Sequence, residues 1–493
     1  MPGSDRDQQF LEAEHLVEAH SAELRKELRL GDLVLSQILY IVGLQWIGTA
    51  GKLGPAHIMY WIPAVLLFYI PSGIVVVHLN REMPLEGGIY QWAKLRFGDM
   101  AGFLVALNLW ATMVFFLASS VSLLTDNLRY AAGPSGAWMV ENKPVTVAVG
   151  ALMISALVWL AARGLALAKW VHNAGGFIVF LILAGMAWFA LPRWLEGRVA
   201  TAPAAIAFPA VSLLNLNLLG KMAFGALCGF DGSAIFSGEV RDPRVARIIR
   251  RSVWLSAPLI TLFYILGTAC ALAFTRPADI DLISPAMQAL SRGAQAAGIA
   301  FLVGPLVAIV ISGQVFANAS IYCNAAIRLP MVAGWDHLLP AWLSRLHPRF
   351  KTPVGSVLCF GIATFGFAVL GTLGVGAQET FQSLNNSAII CWALTYLVMF
   401  AIPLVARGEK PPWAVRVAAL SGFSMTLLYV VLAIFPVVDV RNVVSFAAKV
   451  GGSVAAINVL GLWHFLRASR KRSFLASATF GAATVRERPE NGG

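Results

Sequence analysis

The chain predicts an all-α, polytopic membrane protein with twelve transmembrane helices. Three observations carry that expectation. Of 493 residues, 58% are hydrophobic and only 13% charged, more apolar surface than a soluble domain of this length could bury. The apolar residues fall into twelve runs, each close to the roughly 20 residues that cross ~30 Å of hydrocarbon. The Lys and Arg residues are shared unevenly between alternate connections. The side that includes both termini holds 27 of the 37, so both termini are expected to be cytoplasmic.

Taken in order, residues 1–30 are charged and helix-prone and read as a cytoplasmic arm, with no cleavable signal pattern at the start. The first span, Gly31 to about Gly51, is interrupted at Gly43, Gly48 and Gly51, with Gln45 and Thr49 between them. A turn at 53–55 leads into a second span near 57–79, followed by an amphipathic inner stretch over 81–94. Spans three to five are expected at 98–124, 144–162 and 170–191, and 192–214 reads as an extracellular loop. The sixth lies at about 216–238, the seventh at 253–275 and the eighth at about 297–327. A basic inner loop follows from Arg328 to Lys351, with a short amphipathic helix near 340–345. Spans nine to twelve fall near 353–373, 382–405, 412–436 and 444–466, and the basic, then polar, tail 467–493 is expected to be disordered. These divide the chain into an arm (1–30), spans one to five (31–191), the outer loop (192–214), spans six to ten (215–405), two further spans (406–466) and the tail (467–493).

The sixth span is the anomalous one. Gly225, Gly229 and Gly232 weaken its middle as a helix, and Asp231 puts a carboxylate where lipid tolerates none. Together they predict a broken helix lining a polar site, since exposed backbone at membrane depth must face protein or a water-filled cavity. The first span carries the same kind of interruption. Two glycine-broken spans at matching positions, five spans apart, imply an inverted repeat of five plus five spans, the LeuT-type arrangement, with two extra helices at the C-terminal end. The competing explanation is that span glycines merely bring helices close together.

Other function classes find little support. The +12 net charge could suit nucleic acid, but the basic residues gather in short loops between spans, as at cytoplasmic membrane faces. Cys228, Cys270, Cys323, Cys359 and Cys391 lie in apolar segments without metal or redox spacing, so no metal or cofactor is expected. His57, His78, His172 and His464 sit near span ends and read as interfacial. There is no phosphate-binding loop for primary pumping. A membrane-embedded enzyme would need convergent acid, base or metal groups, and none cluster. A non-transporting sensor or subunit is the remaining alternative.

Three stretches resemble a known family. Pro84-Leu-Glu-Gly87-Gly88-Ile-Tyr90 resembles the inner-loop motif of the amino acid–polyamine–organocation (APC) permeases. Gly229-Phe-Asp231 through Glu239-Val-Arg-Asp-Pro243 resembles the family's sixth-span signature, and Arg328 through Gly334-Trp-Asp336 and Pro340 to Thr352-Pro353 its loop after span eight. The likeness covers roughly residues 30–470 and implies a LeuT-type fold moving an amino acid or related amine by alternating access. Proton-coupled symport or exchange across the plasma membrane is the expected mode. Two departures stand out. Val42-Gly43-Leu44-Gln45-Trp46 replaces the family's small-residue break in the first span, and Asn173 to Phe180 lacks the lysine that some proton-coupled members carry.

These readings give a candidate site. A half-helix starting at the first break offers free N–H groups and a positive dipole end to a substrate carboxylate, through Gly43, Leu44, Gln45 and Gly48. The second break offers carbonyls to an ammonium through Gly225, Leu227, Cys228 and Gly229. The Gln45 side chain is read either as a substrate contact or as a helix-to-helix hydrogen bond. Asn108, Trp110, Trp392 and Tyr396 are further candidates without an assignable direction. Asp231 is read as the only carboxylate well inside a span, and by the family pattern as an inner-gate acid coupling movement to a proton or to gate closure; the alternative is a static hydrogen bond. The resemblance adds Tyr322 as a gating aromatic and Tyr90 as a second coupling or gating residue. Lys221, ~15 Å from Asp231 along a helix, reads as a vestibule residue or as a lysine snorkelling to the interface.

Overall fold

The structure is a computed structural model. It describes residues 26, 28–83, 87–136, 138–206, 212–236, 239–242, 244–330, 339–372, 376–405, 410–437 and 442–486. Most of the expected arm, motif residues 84–86 and 237–238, part of the outer loop (207–211), Gly334 to Asp336 and the end of the tail lie outside these residues.

Helices make the whole scaffold, as expected of a chain whose backbone must satisfy its own hydrogen bonds in lipid. The first span is split into α1 (Leu30–Ile41) and α2 (Gln45–Gly51), bent by 51°. Then come α3 (Gly54–Glu82), the short α4 (Ile89–Phe97), α5 (Asp99–Ala131), α6 (Lys143–Arg163) and α7 (Leu165–Leu195). The second half holds α8 (Leu213–Gly220), α9 (Asp231–Ile235), α10 (Val245–Leu272), α11 (Pro285–Ala296), α12 (Ala300–Ala326), α13 (Val354–Gly371) and α14 (Ala377–Leu404). The last two are α15 (Trp413–Leu432) and α16 (Val443–Arg486), which runs on through much of the tail expected to be disordered.

Among the described residues, ten helices are long and apolar enough to cross a membrane, and the bent pair makes eleven, one fewer than twelve. The difference lies in the expected sixth span. Its helical pieces are α8, a π turn over Lys221–Gly225 and the five-residue α9, so no single helix there reaches spanning length. The glycines that predicted a break also defeat a test based on length.

Burial sorts the spans into layers. The apolar windows of α5 and α14 are each 72% buried, whereas that of α16 is only 17% buried. The first two therefore form the middle, where α5 packs on α14 and α12, and α16 lies at the periphery. Inside, hydroxyls return their hydrogen bonds to their own helix: Thr112 to Asn108 O, Ser120 to Phe116 O and Thr268 to Tyr264 O.

Both ends of this bundle are tied. On the side of the arm, Leu28 pairs with Val240 in a parallel bridge, and the Leu28 amide donates to Glu239 O at 3.0 Å. Beside it the Arg328 guanidinium meets both carboxylate oxygens of Glu239 at 2.6 Å, with both residues buried. On the opposite side, α11 forms a lid that sequence patterning missed, packed against α2, α5, α7, α10 and α12.

Four expectations need correction. Lys221 neither lines a vestibule nor snorkels. It is buried, donates to Asn386 Oδ1 at 2.9 Å and lies 6.0 Å from the Tyr429 ring centre. His57 and His172 are buried rather than interfacial, bonded to Pro203 O (2.8 Å) and Ser320 Oγ (3.1 Å). The third span extends past its expected end at 124. Helix α5 runs on to Ala131, and Asp126 is buried near its end, 2.8 Å from Arg129.

Candidate functional site

At the first break, Val42 leaves helical geometry (ψ 99°) and α2 restarts with the tight turns Trp46 N to Gly43 O and Ile47 N to Leu44 O. The amides of Leu44 and Gln45 head α2 ahead of these turns. The carbonyls that end α1 are taken by side chains from other helices. Asn318 donates to Leu39 O, Tyr322 to Tyr40 O at 2.6 Å and Tyr264 to Ile41 O at 2.9 Å. The Tyr264 hydroxyl also accepts from the Gly43 amide at 3.0 Å, bridging the break.

At the second break, Cys228 to Phe230 interrupt the helix, and Gly229 adopts φ +133°, a conformation that side chains resist. Its amide donates to Tyr396 Oη at 2.9 Å, and its carbonyl accepts from Gln37 Nε2 at 3.4 Å. The two breaks lie directly against each other. A Cβ at Gly225 would sit 2.6 Å from the Trp46 ring, and one at Gly229 would sit 2.7 Å from Ile41. Only glycine permits that approach.

Asp231 opens α9 beside this contact and is fully buried. Tyr396 donates to its Oδ1 at 2.6 Å and Trp392 to its Oδ2 at 3.3 Å, both from α14. Tyr396 thus holds the acid and the Gly229 amide at once, and α14 acts as a splint across the second break. Lys221, on the other side of the break, is held by Asn386 of the same helix.

A cavity of about 30 Å³ lies between the breaks, room for about one water. Gly43, Gln45 and Trp46 line it from the first break, and Gly225 and Cys228 from the second. Ser119 and Ser120 of α5, Asn318 and Tyr322 of α12, and Trp392 of α14 add to the wall, along with Ile41, Leu123 and Phe381, and the lining has no charged side chain. Its arm-side floor is aromatic. Tyr40 packs on Tyr322 (ring centres 4.8 Å apart) and on Trp392 (5.6 Å), while Phe116 stacks on Tyr322 at 5.2 Å. A second void of about 10 Å³ adjoins Tyr40 and is lined by Gln37, Gly229, Gly232 and Phe236. Tyr40 borders both voids.

Of the residues singled out from sequence, Gly43, Gln45, Gly225, Cys228 and Tyr322 come together around the cavity, with Asp231 one layer away through Trp392. Leu44 and Leu227 are buried beside it without lining it, and Gly229 lines the second void. Gly48 faces the lid, where a Cβ would sit 2.5 Å from Asp281 O and 3.2 Å from Pro285. Asn108 points elsewhere and exchanges hydrogen bonds with Asn458 of α16 at 2.7 and 3.1 Å. Trp110 packs edge-on to Phe360. Tyr90 is buried in α4, away from the cavity lining. Tyr40, Phe116, Ser119 and Ser120 were missed. A tyrosine or serine in an apolar run reads as packing or a backbone bond, and only the neighbouring break marks Tyr40.

The architecture, two broken helices facing each other inside a helical bundle, is that of a membrane transporter. A family model described as "Amino acid permease" matches residues 31–457, and the chain belongs to that family. It is 24% identical over 402 residues to an uncharacterised transporter of Legionella pneumophila, covering 78% of this chain and 82% of that one. It is 25% identical to the large neutral amino acids transporter small subunit 2 of Mus musculus, covering 78% and 70%. Its fold matches that of MhsT, solved in complex with L-phenylalanine, with TM-score 0.54 and 15% identity over 83% of this chain and 98% of that one. The protein is therefore a multi-pass membrane protein and a secondary amino-acid transporter rather than an enzyme. The resemblance to APC permeases read from three motifs is met.

Proposed function

We propose that the chain carries a neutral amino acid into the cell by proton-coupled alternating access, with Asp231 as the coupling group. The substrate carboxylate meets the head of α2 at Leu44 and Gln45, and the ammonium meets the carbonyls around Gly225 to Cys228. The wall without charge supports a neutral side chain. The observation that carries the reading is the position of Asp231. It is a fully buried carboxylate held only by neutral donors among the described residues, and one of those donors, Tyr396, also holds the second break. A group that gains or loses a proton there changes what Tyr396 and Trp392 hold, and so whether the break stays closed. Both termini face the cytoplasm of a cell bounded by this membrane, 31–191 and 215–405 are the two inverted halves, and the stretch from α8 to α9 crosses as the sixth span, which brings the total to twelve. Tyr40, Tyr322 and Trp392 form the gate on the arm side, with Tyr90 supporting it from α4.

Uptake of radiolabelled neutral amino acids into proteoliposomes, with an imposed pH gradient, tests this. The wild type should accumulate substrate with the gradient, and Asp231→Asn should bind substrate yet lose the pH dependence. An unchanged pH profile with intact uptake would remove Asp231 from the mechanism. Substrate binding without any uptake by the wild type would favour a sensor.

A further inference from the structure

A second hollow lies away from the central cavity and shares no lining residue with it. It measures about 570 Å³ and sits on the lid side, between the end of α5, α11 and the first turns of α12. One wall is polar, with Arg129, Gln288 and Arg292; the other carries Phe301 and Pro305. We propose that this hollow binds an amphiphilic anion, a membrane lipid whose headgroup phosphate meets Arg292 and Arg129.

Arginine supplies the recognition. The Arg292 guanidinium donates to Phe274 O at 3.0 Å and to Thr275 Oγ1 at 3.3 Å, and no carboxylate pairs with it among the described residues. Arg129 pairs with Asp126 at 2.8 Å and Asp281 at 3.4 Å, and its side chain, 33% exposed, still lines the hollow. Asp281 is further occupied by the Tyr130 hydroxyl (2.9 Å) and by the amides of Ile283 and Ser284. A phosphate offers the several acceptor oxygens that two planar guanidinium groups can share.

The apolar half fixes the ligand as an amphiphile. Phe301, Pro305 and Ile309 are exposed and spaced four apart, so they form one stripe down α12 from the hollow. Phe301 and Ile309 are 84% and 69% exposed. This helix is long and apolar enough to cross a membrane, and the arginines lie beside its first turns while the stripe runs on down its length. A lipid headgroup and chain have that same order. Gly304 adds the means of a test, because it lines the hollow and a Cβ there would meet nothing within 4 Å, so a larger side chain has room to start into the hollow.

The test is thermal melting of the purified full chain in neutral detergent, titrated with phosphatidylglycerol, phosphatidylcholine or glycerol 3-phosphate; a ligand that prefers the folded state raises the midpoint. Phosphatidylglycerol should raise it at concentrations at least about tenfold below phosphatidylcholine, the scale of one charge-assisted contact. Glycerol 3-phosphate should do little. Arg292→Gln and Gly304→Leu should each weaken the phosphatidylglycerol response about tenfold or more, and Gly304→Leu should melt unchanged in phosphatidylcholine and bind amino acid as the wild type does. Because Arg292 also anchors the 274–275 turn, Gly304→Leu is the decisive variant. A full response in either variant overturns the site. Equal responses to the two lipids remove the anion, and an equal response to glycerol 3-phosphate or to free amino acid removes the amphiphile.

Discussion

The tyrosine that splints the second break gives the sharpest prediction. Tyr396→Phe keeps the ring and deletes one hydroxyl, which donates to Asp231 Oδ1 at 2.6 Å and accepts from the Gly229 amide at 2.9 Å. Losing a hydrogen bond to a charged group costs about 1.5–3 kcal/mol, and leaving a buried amide unpaired costs about 1–3 kcal/mol. The two share one atom and do not add fully, so about 3 kcal/mol is a fair expectation. That is roughly a hundredfold shift in any equilibrium that depends on the break being held. A matched control lies one helix away. Tyr429 is also fully buried, but its hydroxyl has no partner among the described residues, so Tyr429→Phe should cost almost nothing. Melting midpoints and initial uptake rates for the two variants provide the comparison. Tyr396→Phe should melt well below the wild type and transport slowly, and Tyr429→Phe should match the wild type in both. Equal behaviour of the two variants would refute the splint.

Two further substitutions probe the same architecture. Gly225→Val places a side chain where even a Cβ would sit 2.6 Å from Trp46, so the breaks must separate; amino-acid binding by calorimetry should fall at least about tenfold. Arg328→Ala leaves Glu239 buried without its guanidinium, a loss of about 3–5 kcal/mol that should appear as a lower melting midpoint, partly restored by adding Glu239→Gln.

How much of this was legible beforehand depended on the kind of signal. Both breaks were visible, because glycine and a carboxylate are out of place in lipid and Gly43, Gly225 and Asp231 mark them. The extents of the apolar spans were visible for the same reason. Direction was not. A helix such as α5 is apolar on nearly every side, so no stripe shows that Ser119 and Ser120 face the cavity while Asn108 faces α16. The lid helix α11 escaped because it lies outside the apolar runs. Lys221 was misread because its partner, Asn386, is 165 residues away, and no local pattern predicts such a pair. Gly48 was assigned to substrate although its closeness serves the lid, since a glycine shows that something approaches but not what.

The claim beneath all of this is that the carrier's binding site is the seam where α1–α2 and α8–α9 both unwind. A cryo-electron microscopy map with a transported amino acid bound addresses it directly. The account predicts ligand density touching the amides of Leu44 and Gln45 on one side and the carbonyls of Gly225 to Cys228 on the other, in a seam wider than the present one. Density lodged elsewhere, with these residues still in contact with one another, would contradict it.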